Sequence, residues 1–151
     1  LLIEKDAFLV PTMSTHEVLP VMGLEAGMPA DMLEKVSFVT EEGKKNFPNA
    51  WKQGVKMVFG TDLLGTMHEH QLLEFELRGA FQTPIEVIRS ATIVAAELFQ
   101  MSEDLGEIKV GALADIISVD GNPLDDLGVL QSPDRFLKLI MKAGQIHKED
   151  C

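Results

Sequence analysis

The sequence has a single cysteine, and that cysteine is its last residue. Cys151 has no partner for an intrachain disulfide, which fits a reducing compartment. No apolar run approaches the roughly 20 residues that a membrane-spanning helix needs. The first residues, LLIEKDAFLVPTM, lack an initiator methionine and also the basic start and small-residue cleavage site of a signal peptide. We therefore expect a cytoplasmic protein without a membrane segment, and a sequence that continues a longer chain.

Basic residues are also scarce. The 13 lysines and arginines face 24 aspartates and glutamates, which gives a formal net charge of −11. Nucleic acids and anionic membranes attract proteins with positive surfaces, so this charge argues against both kinds of partner. With 151 residues, 46% hydrophobic and 25% charged, the chain is long enough and apolar enough for one ordinary domain with a real core.

An apolar stretch that ends on an acid, residues 55–62 (VKMVFGTD), is the centre of the sequence pattern. A run this apolar predicts a short strand covered on both faces, as in a parallel sheet. Gly60 ends the run, and Asp62 then lies at the carboxyl edge of the strand, where α/β folds place catalytic and ligand-binding groups. Asp62 is either a catalytic or metal-binding carboxylate or the N-cap of the next helix. The stretch alone leaves both interpretations open.

The residues before this stretch predict a strand, a helix and a crossover. Residues 7–13 (AFLVPTM) form a second short apolar run, followed by a polar loop over residues 12–16. A helix is expected from Ala30 to Gly54, with a break near Gly43 or Pro48 and Gly54 at its C-terminal end. A helix of this length between two strands favours a parallel crossover connection.

Three histidines lie near the two predicted strands. His68 and His70 flank Glu69, and such a pair on a strand would point both imidazoles to one face and chelate a metal. The surrounding residues are typical of a helix, where positions two apart diverge, so the pattern argues against chelation. His68 follows Asp62 closely, and we expect it to face the substrate or to support a residue that does. His16 is expected to be a solvent-exposed loop residue, although His16 and Thr66 lie on loops that reach strand ends.

After residue 82 the residue pattern first becomes typical of a helix and then typical of short strands. Thr83-Pro84-Ile85-Glu86 is a strong helix start with a capping box, and it predicts a mostly buried helix that continues to Gln100. From Gly106, glycines separate three short predicted strand segments, and the last forms a hairpin over Ala143-Gly144. These segments read EIKV, ADIISVD and FLKLIMKAGQIH. A boundary near residue 105 therefore separates an α/β part from a small β-rich part.

Four aspartates of the β-rich part have structural interpretations. Asp115 and Asp120 flank a predicted strand and are expected at turns and edges. The residues Asp120-Gly121-Asn122-Pro123 are typical of a turn. Asp125 and Asp126 are expected to be exposed or to cap. None of the four is predicted to bind a ligand.

The order of these pieces resembles a known family. A strand ending in GTD, a helix opened by TP, then LGEIKVGALADIISVDGNPLDDL and LKLIMKAGQI, is similar to the C-terminal part of amidohydrolase-superfamily enzymes. The most similar branch is the imidazolonepropionase-related group with its Xaa-Pro dipeptidase-like members. The resemblance implies an α/β fold. Residues 1–105 would supply the last two strands and helices of a (β/α)8 TIM-like barrel, and residues 106–151 half of a composite β-sandwich.

The resemblance also implies a role for Asp62. Residues 7–13 resemble strand seven and residues 55–62 strand eight of the barrel. Asp62 then matches the strand-eight aspartate, which contacts the metal, accepts a proton from the metal-bound water and delivers it to the leaving amine. Such enzymes hold one or two zinc ions at the carboxyl ends of the strands. Asp62 is therefore predicted as both catalytic residue and metal ligand.

The family's other ligands are missing from the sequence. There is no strand-one HxH motif, no bridging lysine or glutamate of strand four, and no histidine of strands five and six. His68-Glu69-His70 does not replace the strand-one motif, because it follows strand eight. A zinc site needs three or four protein ligands, so we expect the chain alone to hold no zinc and to be inactive.

The predicted function is therefore that of a partial enzyme. The complete protein is expected to hydrolyse C–N bonds of small amides, dipeptides or N-acyl amino acids. Its expected partners are that substrate and the remaining barrel portion, in the same or another chain, with a homo-oligomer left open. The alternative is a non-catalytic assembly subunit that completes a partner's barrel. A third hypothesis is an unrelated α/β binding module in which Asp62 is only a cap.

Overall fold

A computed structural model describes residues 1–25 and 27–150 of the chain, so Cys151 lies outside the described residues. Packing divides the chain into two units, Leu1–Phe81 and Gln82–Cys151, and each is described by itself. The assignment of residues 1–105 to a barrel and of residues 106–151 to a sandwich stays a prediction. Across the described ranges, no helix is both long enough and apolar enough to cross a bilayer.

The first unit contains two short strands connected by two helices. In chain order its elements are β1 Phe8–Leu9, α1 Met13–Met22, α2 Ala30–Lys52, β2 Lys56–Met57, a 3-10 helix Gly65–His70 and α3 Leu73–Gly79. The strands pair in parallel, with Phe8 opposite Lys56 and Leu9 opposite Met57. A parallel pair cannot be closed by a tight turn, and helices α1 and α2 supply the crossover. The predicted order of strand, helix and parallel strand is confirmed, but both strands are much shorter than the predicted residues 7–13 and 55–62.

The loop predicted over residues 12–16 is wrong. Helix α1 starts at Met13, directly after Thr12, whose left-handed backbone (φ 48°, ψ 45°) turns the chain out of β1. His16 therefore lies on a helix and is half-buried, with its Nδ1 atom enclosed by protein. The interpretation of His16 as an exposed loop residue is also wrong. The polar residues Ser14 and Thr15 form helix because distant partners in the fold bind them.

Helix α2 runs without the break predicted near Gly43 or Pro48. It is one helix of 23 residues, and Thr40 is its one buried residue. Pro48 removes one backbone hydrogen bond, but water can satisfy the freed carbonyl on a helix that is mostly exposed. The predicted end is confirmed, since Gly54 has a φ of 84°. The N–H groups of Gly54 and Val55 donate to the carbonyls of Trp51 and Ala50, which is a Schellman motif.

The second unit begins with the predicted capping box. Its helices are α4 Pro84–Ala91, α5 Ile93–Leu98 and α6 Pro133–Phe136, with a 3-10 helix at Leu127–Leu130. The Thr83 N–H and hydroxyl both donate to the carboxylate of Glu86, which confirms the predicted helix start. The single helix predicted from this start is wrong, because Thr92 (φ −124°, ψ −95°) separates α4 from α5. Burial is also less than predicted, with Ile85 and Phe99 exposed.

The sheet of the second unit is antiparallel. Strands β3 Ile116–Val119, β4 Leu137–Lys142 and β5 Gln145–Glu149 pair in the order β3-β4-β5. The predicted hairpin over Ala143-Gly144 is confirmed, and the Asp115 carboxylate accepts a hydrogen bond from the Ala143 N–H at 2.7 Å. Asp126 caps the 3-10 helix through the N–H of Gly128, as expected. Residues 107–110 form no strand, so that prediction is wrong.

A buried charged pair lies in the interior of the first unit. The side chains of Glu74 and Arg78, one turn apart on α3, are both 0% exposed. Glu74 Oε2 accepts hydrogen bonds from the Ser14 N–H at 2.8 Å and from the Ser14 hydroxyl at 2.9 Å. Arg78 Nη1 donates to the Val58 carbonyl at 3.2 Å. These four residues are called the Glu74 network, and they join the start of α1 and the end of β2 to α3.

Burial controls the ionisation of both charges. Desolvation raises the pKa of Glu74 above its ordinary value, although Ser14 and the positive charge of Arg78 act in the opposite direction. Desolvation likewise lowers the pKa of Arg78 to about 10, against the favourable effect of Glu74. A buried charge that loses its partner is strongly destabilising. The Glu74 network is therefore the part of the first unit most sensitive to substitution.

Substituting Glu74 by alanine should lower the free energy of unfolding by about 3–5 kcal/mol, because it leaves the charge of Arg78 buried without the carboxylate. Glu76→Ala on the same helix is the matched control, since Glu76 is exposed. The control should change the free energy of unfolding by no more than about 0.5 kcal/mol. Chemical denaturation measures both. Equal losses for the two variants would contradict the importance of the network.

The raised pKa of Glu74 predicts a pH dependence of stability. In the folded protein the carboxyl keeps its proton to a higher pH than in the unfolded chain, so the stabilisation that comes from holding this proton is full below the ordinary pKa of 4.5. The contribution is then lost as the pH rises through the higher folded value. Glu74→Gln has nearly the same shape and cannot ionise, so comparison with it isolates the effect of this ionisation on stability. The unfolding free energy of the native protein minus that of the variant should fall as the pH rises above 4.5. A difference that stays constant or rises would contradict the prediction.

Candidate active site

Asp62 lies exposed beyond the end of β2, in an unusual backbone conformation. Its φ is 51°, in the left-handed region that few residues other than glycine adopt. Aspartate is one of the residues that tolerate this region, at a cost of order 1–2 kcal/mol. The 3-10 helix that follows has Leu64 as its N-cap, so Asp62 does not cap it. The capping hypothesis is therefore wrong, and the carboxylate of Asp62 is exposed on a strained backbone.

The segment before Asp62 is held on both sides. The Val58 N–H donates to the Leu9 carbonyl at 3.0 Å, which extends the pairing of the two strands. The Val58 carbonyl accepts from Arg78. At Gly60 a Cβ atom would lie 2.5 Å from Cγ1 of Val10, so a larger residue would push the two segments apart. Backbone and packing therefore fix the path by which the chain leaves β2.

The segment after Asp62 is fixed by burial. Leu63 is 4% exposed and packs in an apolar cluster with Val18 and Met67. Between these anchors, the Thr15 hydroxyl donates to the backbone carbonyl of Asp62 at 2.7 Å. Asp62 is therefore an exposed carboxylate on a backbone that is fixed before it, at it and after it.

The other predicted candidates lie near Asp62 in the chain. His68 is exposed on the 3-10 helix, and its role in substrate binding stays a prediction. His70 Nε2 lies 3.5 Å from the carboxylate of Glu69, which forms an ion pair when the imidazole is protonated. Thr66 lines an open groove of about 370 Å³ whose walls are mainly apolar. The groove also includes Leu19, Met28, Met32, Leu64 and Met67.

The described residues do not form a metal site. Within residues 1–25 and 27–150, no three side chains of histidine, cysteine, aspartate or glutamate are placed together so as to hold a metal ion. Asp62 alone supplies one carboxylate, whereas a zinc site needs three or four protein ligands. The ligand set present in this part of the chain therefore does not fit a bound zinc ion.

Residue patterns did not identify two important contacts of this site. Glu74 and Arg78 are four apart among apolar residues of a predicted helix, and that spacing is typical of an ion pair. The spacing indicates that the two side chains can interact, but it does not indicate that both are fully buried. Thr15 has no sequence signal at all, because its partner, Asp62, is 47 residues away.

Known proteins resemble the chain over nearly all of its length. The amidohydrolase family profile matches residues 2–146. The curated protein ochratoxinase of Aspergillus niger is 29% identical over 146 residues, which are 96% of this chain and 30% of that protein. The chain thus spans about a third or less of the curated relatives that it matches.

Two solved structures have similar folds and related activities. A prolidase complexed with N-methylphosphonate-L-proline is 41% identical and superposes with a TM-score of 0.92, over 98% of this chain and 36% of the prolidase. A Xaa-Pro dipeptidase with methionine bound in its active site is 30% identical, with a TM-score of 0.84 over 97% of this chain and 36% of the dipeptidase. The mixed α/β fold and the resemblance predicted from the sequence are confirmed, and the chain belongs to the amidohydrolase family.

Proposed function

We propose that this chain is part of a hydrolase of C–N bonds in amides or peptides, and that Asp62 is its proton shuttle. The observation that carries the proposal is the placement of Asp62, an exposed carboxylate with a left-handed backbone five residues beyond Met57, the last residue of the parallel strand β2. Residues at the carboxyl ends of parallel strands form the active sites of α/β enzymes. Membership of the amidohydrolase family supports the same reaction class.

The chemistry assigned to Asp62 consists of two proton transfers. As water attacks the carbonyl carbon of the amide, the carboxylate accepts one proton from that water. When the tetrahedral adduct collapses, the C–N bond breaks and the carboxyl returns the proton to the leaving nitrogen. One group thus acts first as general base and then as general acid, and the enzyme regains its starting form. An exposed carboxylate on a rigid backbone suits both steps, because reach and orientation decide the rate.

The substrate class in this proposal is a dipeptide or an N-acyl amino acid. Its support is the nature of the solved relatives, a prolidase and a Xaa-Pro dipeptidase, together with that of the curated ochratoxinase. The apolar groove beside Leu64 and Thr66 would suit an apolar part of such a substrate. His68, on the same 3-10 helix, is proposed to face the substrate.

A metal ion, zinc in this proposal, belongs to the complete enzyme. Amidohydrolases generally use metal ions, but the described residues do not hold one. Asp62 is proposed as one ligand of one or two ions whose other ligands come from outside these residues. The rest of the barrel is likewise proposed to come from outside these residues, since residues 1–105 would supply only its last two strands. The isolated chain is therefore expected to be inactive, and the complete enzyme is proposed to be cytoplasmic.

The second candidate function is a non-catalytic assembly subunit that completes a partner's barrel. The lack of a metal-ligand cluster among the described residues favours it. The two functions differ in what copurifies with the chain. A partner segment that carries an HxH strand and binds zinc supports the hydrolase, and a partner without metal ligands supports the assembly role.

Substituting Asp62 by asparagine in the full-length enzyme should lower kcat about 100-fold or more, because the amide cannot carry the proton. Asparagine keeps the shape and the tolerance for a left-handed backbone, so the loss isolates the carboxylate. Asp6→Asn is the matched control, since Asp6 is also exposed and has a φ of 49°. Hydrolysis of dipeptides and N-acyl amino acids measures both variants. A kcat of Asp62→Asn within about threefold of the native value would disprove the proposed role.

A further inference from the structure

We infer that Thr15 is the positioning residue for Asp62, and that its hydroxyl holds the Asp62 backbone in the conformation that aims the carboxylate. The inference rests on the proposed function of Asp62. Its basis is the hydrogen bond from Thr15 Oγ1 to the Asp62 carbonyl, 2.7 Å long and joining residues 47 apart in the sequence. Thr15 is assigned no contact with the substrate or the reacting atoms, and it acts only through Asp62.

The direction of the Asp62 carboxylate is set by its backbone. In the part of the chain that the structure describes, no hydrogen bond or ion pair to another residue holds the carboxylate itself. The left-handed φ of 51° is disfavoured for any residue with a Cβ atom, so the backbone at Asp62 returns to an extended or helical conformation unless contacts prevent it. The Thr15 hydrogen bond is made directly to this residue, at its own carbonyl oxygen.

Thr15 is rigid enough to serve as an anchor. The preceding residue, Ser14, is 0% exposed and donates both its N–H and its hydroxyl to the buried carboxylate of Glu74. The first turn of α1 is thereby tied to α3, and Thr15 shares that turn. A threonine hydroxyl in a helix usually bonds to a carbonyl one turn back in its own helix. Thr15 bonds instead to the site residue of another segment.

The neighbouring anchors do not replace this bond. Arg78 fixes the carbonyl of Val58, four residues before Asp62, and the apolar cluster fixes the side chain of Leu63. Both contacts determine where the segment passes, but neither is a bond to the peptide group between Asp62 and Leu63. The Thr15 hydroxyl binds the oxygen of that peptide group and fixes its orientation.

The test compares Thr15→Val with Thr15→Ser in the full-length enzyme. Valine keeps the branched shape and lacks the hydroxyl, whereas serine keeps the hydroxyl. We expect Thr15→Val to lower kcat about tenfold or more, because a misplaced catalytic group loses rate steeply, with KM within about twofold of native. Thr15→Ser should stay within about threefold of the native kcat. Thr40→Val is the matched control, because its hydroxyl also bonds to a backbone carbonyl of α1, that of His16.

A second readout needs no activity. Hydrogen exchange of the peptide that covers residues 60–66 should be faster in Thr15→Val than in the native enzyme, because the segment loses an anchor. Exchange in Thr15→Ser and in Thr40→Val should match the native rate there. Activities are compared per folded protein, well below each unfolding midpoint, so that a loss of stability alone does not lower kcat. Should the valine variant not fold, Thr15→Cys replaces it, since a thiol is a weak donor.

The outcomes separate this inference from the proposed function. If Asp62→Asn is inactive and Thr15→Val keeps the native kcat and exchange rates, the inference is overturned and the function of Asp62 stands. A loss of kcat that is equal in Thr15→Val and Thr15→Ser overturns it as well, since the hydroxyl would then not be the cause. If Asp62→Asn is active, the proposed function itself fails.

Discussion

The buried pair of Glu74 and Arg78 is the interaction on which the first unit depends. Both charges are fully removed from solvent, and each is bonded to backbone or side-chain groups of a different segment. Two charges in the protein interior cost more to desolvate than they return unless further hydrogen bonds satisfy them. Ser14 and Val58 supply such bonds to Glu74 Oε2 and Arg78 Nη1, whereas the buried Glu74 Oε1 accepts no hydrogen bond from the described residues. The desolvated pair lies at the point where α1, α3 and the end of β2 meet.

This arrangement explains how so little regular sheet can hold the backbone around Asp62. The two parallel strands of this unit have two residues each, and so short a pair gives little rigidity by itself. The Glu74 network extends the constraint beyond the strands, to Val58 on one side and to the first turn of α1 on the other. Asp62 lies between the two, with Leu63 buried directly after it. A strained backbone persists only where its surroundings determine it, and these contacts do so.

The sequence predicted those features that depend on local chemistry. The capping box at Thr83, the helix end at Gly54 and the hairpin at Ala143-Gly144 each follow from a few adjacent residues, and all three are confirmed. The errors occurred where distant contacts decide. The loop predicted over residues 12–16 rested on their polar side chains, but Ser14 has its hydrogen-bond partner 60 residues away in the sequence. The break at Thr92 also lies beside a segment distant in the sequence, since a Cβ atom at Gly106 would lie 3.0 Å from the Thr92 carbonyl oxygen.

At the candidate site, too, local sequence predicted some features and distant contacts decide the others. The placement of Asp62 at a strand end could be predicted from an apolar run and a glycine, but its φ of 51° and its bond to Thr15 could not. We propose that this conformation aims the carboxylate at the scissile bond, and a crystal structure of the full-length enzyme with a non-hydrolysable substrate analogue is the decisive test. We expect an Asp62 oxygen within about 2.6–3.2 Å of the attacking oxygen or of the atom that replaces the leaving nitrogen. An Asp62 carboxylate that points away from the analogue would contradict it.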